Sequence, residues 1–342
     1  MKTNNPQQTR IETFLGALLH DIGKFYQRAD NNYYTQSCLL EPEVINNAKN
    51  ICRTFNNNFA YLHTLWTQQA IENNLTHLTP KDFKEQDTND NFVNLAIYHH
   101  YPSTELQAII RMADIWSSGM ERHNKNADDE TPQHNNFRNI RMISIFEQLN
   151  IKNYTTPQEN QYEYDLAPLD VNNDDTIFPK DNQQKTNNTN NNYKTLWDNF
   201  EKELQQIKPS NSEELIETLI YLLKKYTWCI PSSAAKWDIP DVSLFDHLKT
   251  TAAIAQALYD CIIDNPNNFT FDNTTKEIKI TNNDFCPLIL LCADISGIQK
   301  FIYNVASSKA AKSFKGRSFY LQLLIDSIIQ KIIKECNITS GH

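Results

Sequence analysis

Apolar residues recur at offsets of three and four through most of the first 265 positions, and this periodicity constrains the fold more than any other feature of the sequence. The first such stripe contains Phe14, Leu18 and Phe25. Similar patterns predict further helices over the ranges 59–74, 91–100, 104–121, 137–149, 195–207, 212–227 and 244–263. Ser243 and Asp246 have the spacing of a capping box at the start of the last helix.

The pattern changes after residue 265. Two short β-like runs and a continuous apolar strand are predicted at 268–272, 276–281 and 287–294. A helix then runs from about Ile298 to the C-terminus, with an interruption near Gly316. We therefore predict a mainly α protein with two domains, a helical one over 1–265 and an α+β one over 266–342.

An asparagine-rich stretch, at 170–194, lies inside the helical part. It contains few apolar residues, so little burial is available there to offset the entropy of ordering. The composition predicts a mobile loop.

Charge and cysteine content restrict the classes of function. The formal net charge of −9 makes a chain-wide nucleic-acid-binding surface unlikely to arise, so any basic footprint must be local. The 7 cysteines form no Cys-x-x-Cys pair, which indicates reduced thiols and a cytoplasmic location. No apolar run reaches the roughly 18 residues that a membrane span requires.

Histidine and aspartate residues occupy the apolar faces of several predicted helices. Asp21 follows His20 and shares the stripe of the first helix, which directs its carboxylate towards the core. The other candidates on inward faces are His63, His99, His100, Asp114 and His247. An unpartnered buried carboxylate costs several kcal/mol or more, so such positions normally indicate ion pairing or a metal.

These side chains offer oxygen and nitrogen ligands but no sulfur. Imidazoles are neutral nitrogen ligands, and one carboxylate can bridge two cations about 3.5–4 Å apart. The ligand set favours manganese, iron, cobalt or nickel, with magnesium as a further candidate, and two ions are expected. A single buried histidine has an alternative interpretation as a hydrogen-bonded core residue.

Several segments resemble a known family. HDIGKF, YLHTLWTQQAI, AIYHHYPS and RMADIWSSGMER are similar to the HD nuclease domains of CRISPR systems. DVSLFDHLKTTAAIAQAL resembles the leading helix of such a domain, displaced to its far end, and LLCADISGIQKFIYNVASSKAAKSFKGRSFYLQLL resembles the start of a palm domain. This order is that of the type III CRISPR effector large subunit, the Cas-ten family, of Csm type. The resemblance implies a permuted, all-helical HD domain followed by the start of a ferredoxin-like palm domain.

The resemblance also implies roles for individual residues. The family's metal ligands correspond to His20, Asp21, Asp114 and His247, and a second ion would be held by His63, His99 and His100 with Asp21 as the bridge. His20, Asp21 and Lys24 are the implied catalytic residues, with Lys24 reaching a phosphate oxygen. The implied reaction is metal-dependent hydrolysis of single-stranded DNA.

The C-terminal part carries weaker candidates. Asp294 follows the predicted strand, as a metal-binding aspartate does in palm-type nucleotidyl cyclases, but a structural strand-end role is the alternative. Basic residues without an intervening acid could contact a nucleotide or RNA, or form a solvated helix face; they include Lys309, Lys312, Lys315 and Arg317. No GGDD motif is present, so cyclic oligoadenylate synthesis is not expected, and the palm is incomplete.

The expected partners are those of an RNA-guided complex. They are the small subunit, the backbone subunit at the guide 5′ end, single-stranded DNA, target RNA and the remainder of the palm, with no membrane. Two alternatives to an active nuclease stay open: a catalytically idle assembly subunit of the same complex, and an HD phosphohydrolase for free nucleotides.

Overall fold

A computed structural model gives the fold of the chain. It describes residues 5–30, 38–55, 58–75, 78, 89–119, 137–148, 162–181, 189–235, 238–303, 310–336 and 338. The described residues are mostly helical, as the periodicity predicted.

The helices are α1 (Pro6–Leu19), α2 (Ile22–Ala29), α3 (Pro42–Asn46), α4 (Ala48–Ile51), α5 (His63–Asn74), α6 (Phe92–Ile97), α7 (Glu105–Ser118), α8 (Asp174–Ile177), α9 (Thr189–Leu204), α10 (Ser212–Thr227), α11 (Leu244–Asp264), α12 (Ile298–Tyr303) and α13 (Ala310–Glu335). Three antiparallel pairs of short strands accompany them: β1 (Arg53–Phe55) with β2 (Asn58–Ala60), β3 (Tyr162–Glu163) with β4 (Lys180–Asp181), and β5 (Phe269–Asp272) with β6 (Glu277–Ile280).

Polar side chains fix where the main helices begin. Asn5, Asn91, Thr104 and Asn211 each accept a hydrogen bond from a backbone N–H of the first turn of α1, α6, α7 and α10. The predicted capping box of α11 is confirmed, because Ser243 Oγ accepts from the Asp246 N–H and donates to its carboxylate. Such caps satisfy backbone donors that have no partner within the helix.

Helices α1 and α2 form the centre of the helical unit. Helix α1 packs against α11 and α6, while α2 packs against α5 and α9, and α11 also packs against α7. Phe14, Leu18, Ile22 and Phe25, all on the predicted stripe, are at most 2% exposed. The two ends of this unit are joined directly, since Arg10 on α1 pairs with Asp260 on α11.

The chain divides into two compact units after Phe285, whereas the sequence analysis placed the domain boundary between residues 265 and 266. The β5–β6 hairpin belongs to the first unit because β6 packs against α7, where Arg111 lies 3.6 Å from Glu277. The strand pattern of 269–280 was identified correctly, but a hairpin can complete a helical domain as well as begin a new one.

Three local predictions were wrong. Residues 137–149 were predicted as a helix, but the structure has two 3₁₀ turns there, Phe137–Asn139 and Ile145–Gln148, and Ile143 bridges to Glu163. Within 170–194, predicted as a loop, the described residues contain α8, β4 and the start of α9, where Tyr193 is fully buried. Residues 182–188 of that stretch lie outside the described residues.

The second unit, Cys286–His342, contains α12 and α13. The strand predicted at 287–294 is irregular, and Leu290 is 96% exposed. A strand requires a hydrogen-bonded neighbour, and the described residues of this unit include none. Gly316 lies inside α13, so the predicted interruption there was also wrong. Among the described helices, none combines the length and apolarity needed to cross a bilayer.

Candidate metal centre

Seven buried or partly buried side chains from five parts of the chain converge in the first unit, and they are all the metal-ligand candidates named from the sequence. Two groups can be distinguished. One contains His20, Asp21, Asp114 and His247, and the other contains Asp21, His63, His99 and His100. In each group the ligand atoms lie within 4.8 Å of one another. Asp21 belongs to both groups.

A break between α1 and α2 directs both His20 and Asp21 into the site. In a continuous helix, adjacent side chains point about 100° apart. Here α1 ends at Leu19 and α2 begins at Ile22, with Asp21 in a non-helical conformation (φ −108°, ψ 9°). The sequence analysis predicted one helix through this region, so it identified the residues but not the turn that brings them together.

Asp21 contacts both groups through different oxygen atoms. Its Oδ2 atom lies 3.3 Å from the Nε2 atoms of both His20 and His247. Its Oδ1 atom lies 3.0 Å from His63 Nε2 and 3.8 Å from His99 Nε2. This is the arrangement expected of a bridging carboxylate.

The remaining short distances close each group. Asp114 Oδ1 lies 3.3 Å from His247 Nε2 and 3.7 Å from His20 Nε2. On the other side, His63 Nε2 and His100 Nε2 are 3.2 Å apart.

Close packing of α5 against α2 brings His63 to Asp21. A side chain at Gly23 would place its Cβ atom 2.0 Å from the His63 carbonyl oxygen, so only glycine permits this approach. Thr67, one turn after His63, joins the same two elements. Its hydroxyl accepts a hydrogen bond from the Gly23 N–H (3.1 Å) and donates one to the His20 carbonyl (3.0 Å).

Three of the histidines are held by contacts at Nδ1, which leaves Nε2 facing the site. His20 Nδ1 lies 2.7 Å from the Ala17 carbonyl, and His99 Nδ1 lies 2.6 Å from the Ala96 carbonyl. These contacts require a proton on Nδ1 and therefore a lone pair on Nε2 in the neutral ring. His247 Nδ1 contacts the hydroxyl of Ser117 at 3.3 Å.

Several polar atoms in the site are buried without a well-aligned hydrogen bond, namely His20 Nε2, His99 Nε2 and Asp21 Oδ1. They lie close to one another but are poorly aligned for mutual hydrogen bonds. Leaving such groups unsatisfied costs about 1–3 kcal/mol each. A divalent ion at the point they share would satisfy them, and both nitrogen and carboxylate donors suit one. The residues therefore fit a metal site.

Electrostatics keep both carboxylates ionised. Burial raises the pKa of Asp21, but Lys24, His20 and His63 outweigh it, and the pKa lies well below its ordinary value. Burial likewise opposes ionisation of Asp114, and hydrogen bonds from His20 and His247 bring its pKa well below the usual range. Permanently charged carboxylates in a buried position require compensating positive charge.

The histidines differ in charge. Burial, followed by repulsion from His20, lowers the pKa of His99 to about 3, and burial with His99 and His63 also lowers the pKa of His100. Burial would lower the pKa of His20 too, but Asp21 and Asp114 raise it overall. His99 and His100 are thus neutral ligands at neutral pH, whereas an ion bound by His20 would displace a proton.

Lys24 lies at the edge of the site. Its Nζ atom is 2.6 Å from Asp21 Oδ2, and its side chain is 25% exposed, whereas that of Asp21 is 2% exposed. The ammonium group therefore combines contact with the buried carboxylate and access to solvent.

The C-terminal candidates lie in the second unit. Asp294, Lys312 and Lys315 are exposed, and Lys309 lies outside the described residues. Arg317 donates to the Phe301 carbonyl, and its guanidinium lies 5.3 Å from the centre of the Phe301 ring. The structure brings Arg317 to α12 but does not gather these residues into a cluster of described side chains.

Sequence reasoning missed the residues that support the ligands. Thr67 and Ser117 follow His63 and Asp114 by four and three positions, so they lie on the same helical faces. That spacing could have identified both as supporting residues. No sequence signal distinguished Tyr61, whose ring stacks on His100.

Comparison with known proteins gives a consistent set of relatives. Residues 287–342 match the family model described as Csm1 subunit domain B. A protein of Methanocaldococcus jannaschii named "CRISPR system single-strand-specific deoxyribonuclease Cas10/Csm1 (subtype III-A)" is 34% identical over 95% of this chain and 38% of its own length. Proteins with the same name from Enterococcus italicus and Mycobacterium tuberculosis are 25% and 24% identical over 97% and 99% of this chain and 40% and 39% of their own lengths. The chain thus spans about two fifths of the length of these relatives.

Proposed function

Because this chain belongs to the Cas10/Csm1 family of subtype III-A CRISPR systems, we propose that its first unit is a permuted HD domain with metal-dependent nuclease activity on single-stranded DNA. The observation that carries the proposal is the pair of buried histidine and aspartate groups that share Asp21. The relatives are named as single-strand-specific deoxyribonucleases, which supports the substrate class.

Each ligand group would hold one divalent ion. His20, Asp114 and His247 would complete one site, and His63, His99 and His100 the other, with Asp21 between them. Two such ions supply Lewis acidity at a phosphodiester and stabilise its leaving oxygen. Manganese, iron, cobalt and nickel match the mixed nitrogen and oxygen donors, with magnesium as a further candidate.

The protein's own groups would orient the ions and the substrate. The carbonyls of Ala17 and Ala96 fix the rings of His20 and His99, so that their Nε2 atoms need no reorganisation to bind. Lys24, partly exposed beside Asp21, would turn towards a phosphate oxygen when ions neutralise that carboxylate. Together with His20 and Asp21, it forms the proposed catalytic set.

The second unit would begin the palm domain of the large subunit. The match of residues 287–342 to Csm1 subunit domain B supports this assignment. Its exposed apolar residues, including Ile289 and Leu290, would then be covered by the remainder of the palm. Guide-containing subunits, target RNA and a nucleotide- or RNA-contacting role of Asp294, Lys312, Lys315, Arg317 and Lys309 are part of the same proposal.

Cleavage of a fluorescent single-stranded oligonucleotide tests the proposed activity. We expect cleavage with Mn²⁺, none with EDTA, and none from the double variant His20→Ala with Asp21→Ala. Asp198→Ala removes an exposed carboxylate paired with Lys194 and is a matched control that should retain activity.

The same assay separates the alternatives. A wild-type protein that binds Mn²⁺ but cleaves no strand would be the idle assembly subunit. Release of phosphate or nucleoside from free nucleotides, without strand cleavage, would indicate an HD phosphohydrolase. Absence of Mn²⁺ binding would refute the metal centre.

A further inference from the structure

Tyr61 has a backbone conformation that is rare for a residue with a side chain. Its φ angle is 59°, in the left-handed region that favours glycine. Among the described non-glycine residues, Lys276 also has a positive φ, but it closes the turn of the β5–β6 hairpin, where such angles are usual. Tyr61 lies instead at the candidate metal centre, and strained conformations of this kind cluster at functional sites.

The left-handed turn starts α5 and directs the Tyr61 ring at the same time. The Tyr61 carbonyl accepts hydrogen bonds from the Thr64 N–H (3.1 Å) and the Thr64 hydroxyl (2.9 Å). The ring stacks on His100, with centroids 3.7 Å apart and planes 26° apart. Because φ sets the direction of the Cα–Cβ bond relative to the chain, another conformation at residue 61 would alter this stack or the path into α5.

His100 is the candidate ligand that most needs such support. The other six are buried, whereas His100 is partly exposed. Carbonyl contacts at Nδ1 orient His20 and His99, but the described residues provide no hydrogen bond to Nδ1 of His100. Its ring is instead enclosed between Tyr61 and the ring of His99, whose centroid is 3.9 Å away.

We propose that Tyr61 is a positioning residue for one of the two ion sites. Its ring fixes the imidazole of His100 so that Nε2 stays 3.2 Å from His63 Nε2, where both nitrogens can bind the same ion. This inference rests on the proposed metal centre and adds a stacked aromatic side chain to its architecture. Without the ring, the partly exposed His100 can rotate about its side-chain bonds, which weakens the site of Asp21, His63, His99 and His100 only.

Mn²⁺ titration of the full chain, by calorimetry and by electron paramagnetic resonance of the ion pair, tests the proposal. We expect two ions in the wild type and in Tyr61→Phe, which keeps the ring. Tyr61→Gly removes the ring and accepts a positive φ without strain, so the fold is retained. In this variant we expect one ion to bind as before and the second about 10–100-fold more weakly, with loss of the coupled two-ion spectrum.

A second variant guards against misfolding of the glycine variant. Tyr61→Asn also tolerates the left-handed region and should give the same loss. Two ions bound with wild-type affinity by either folded variant would overturn the proposal, as would a Tyr61→Phe protein that loses the second ion. A wild type that binds no Mn²⁺ would instead refute the metal centre itself.

Discussion

Thr67 offers the sharpest test of how the site is assembled. Its fully buried hydroxyl makes two hydrogen bonds to backbone groups on either side of the α1–α2 break, the His20 carbonyl and the Gly23 N–H. Thr67→Val replaces the hydroxyl with a methyl group of similar size, and the two residues have similar helix propensity. Both backbone groups then stay buried without a partner.

The magnitude follows from those two groups. Each unsatisfied buried group costs about 1–3 kcal/mol, so we expect Thr67→Val to lower the free energy of unfolding by roughly 2–4 kcal/mol. Because the lost bonds hold the turn that directs His20 and Asp21, Mn²⁺ affinity should fall as well.

Urea denaturation in EDTA measures the stability change without any contribution from bound ions. Thr251→Val is a matched control, since Thr251 is also fully buried in a helix but its hydroxyl has no hydrogen-bond partner. Its replacement should leave stability unchanged or raise it by up to about 1 kcal/mol. Equal stabilities of the two valine variants would refute the assigned role of Thr67.

Three further predictions use the same contacts. Asp21→Asn should abolish binding of both Mn²⁺ ions in a calorimetric titration, whereas Asp114→Asn and His63→Ala should each lose one, because only Asp21 belongs to both groups. Gly23→Ala should destabilise the first unit by about 3 kcal/mol or more, since the new methyl meets the His63 backbone; Gly316→Ala, with nothing within 4 Å, should instead increase helicity measured by circular dichroism. Tyr193→Ala should cost about 3–5 kcal/mol in urea denaturation if the asparagine-rich end of α9 is part of the core, and Tyr221→Ala, 73% exposed, should change stability by less than about 0.5 kcal/mol.

Helices were predictable where their own periodicity and caps determine them. Helix α10 has the predicted bounds of 212–227, and α11 begins at the predicted capping box. Elements that depend on distant partners were not predictable in this way. Residues 137–149 contain apolar residues at helical spacing, but Ile143 pairs with Glu163 and receives the Pro240 carbonyl as an acceptor, and neither contact is visible in local sequence.

The same division applies to the candidate site. The burial of Asp21 and Asp114 follows from the helical faces on which they lie, so their ionised and inward-facing state could be expected from the sequence. The turn at His20 and Asp21, the close approach at Gly23 and the left-handed Tyr61 depend on how helices meet, and periodicity carries no information about these contacts.

The pairing of α1 with α11 has a consequence for biosynthesis. His247 reaches His20 and Asp21 only when the last helix of the first unit has docked beside the first. A ribosome-bound chain that has exposed α1 to α10 therefore lacks one ligand of the first group, and that group is assembled last. Any reactivity that depends on it is withheld until translation has passed α11.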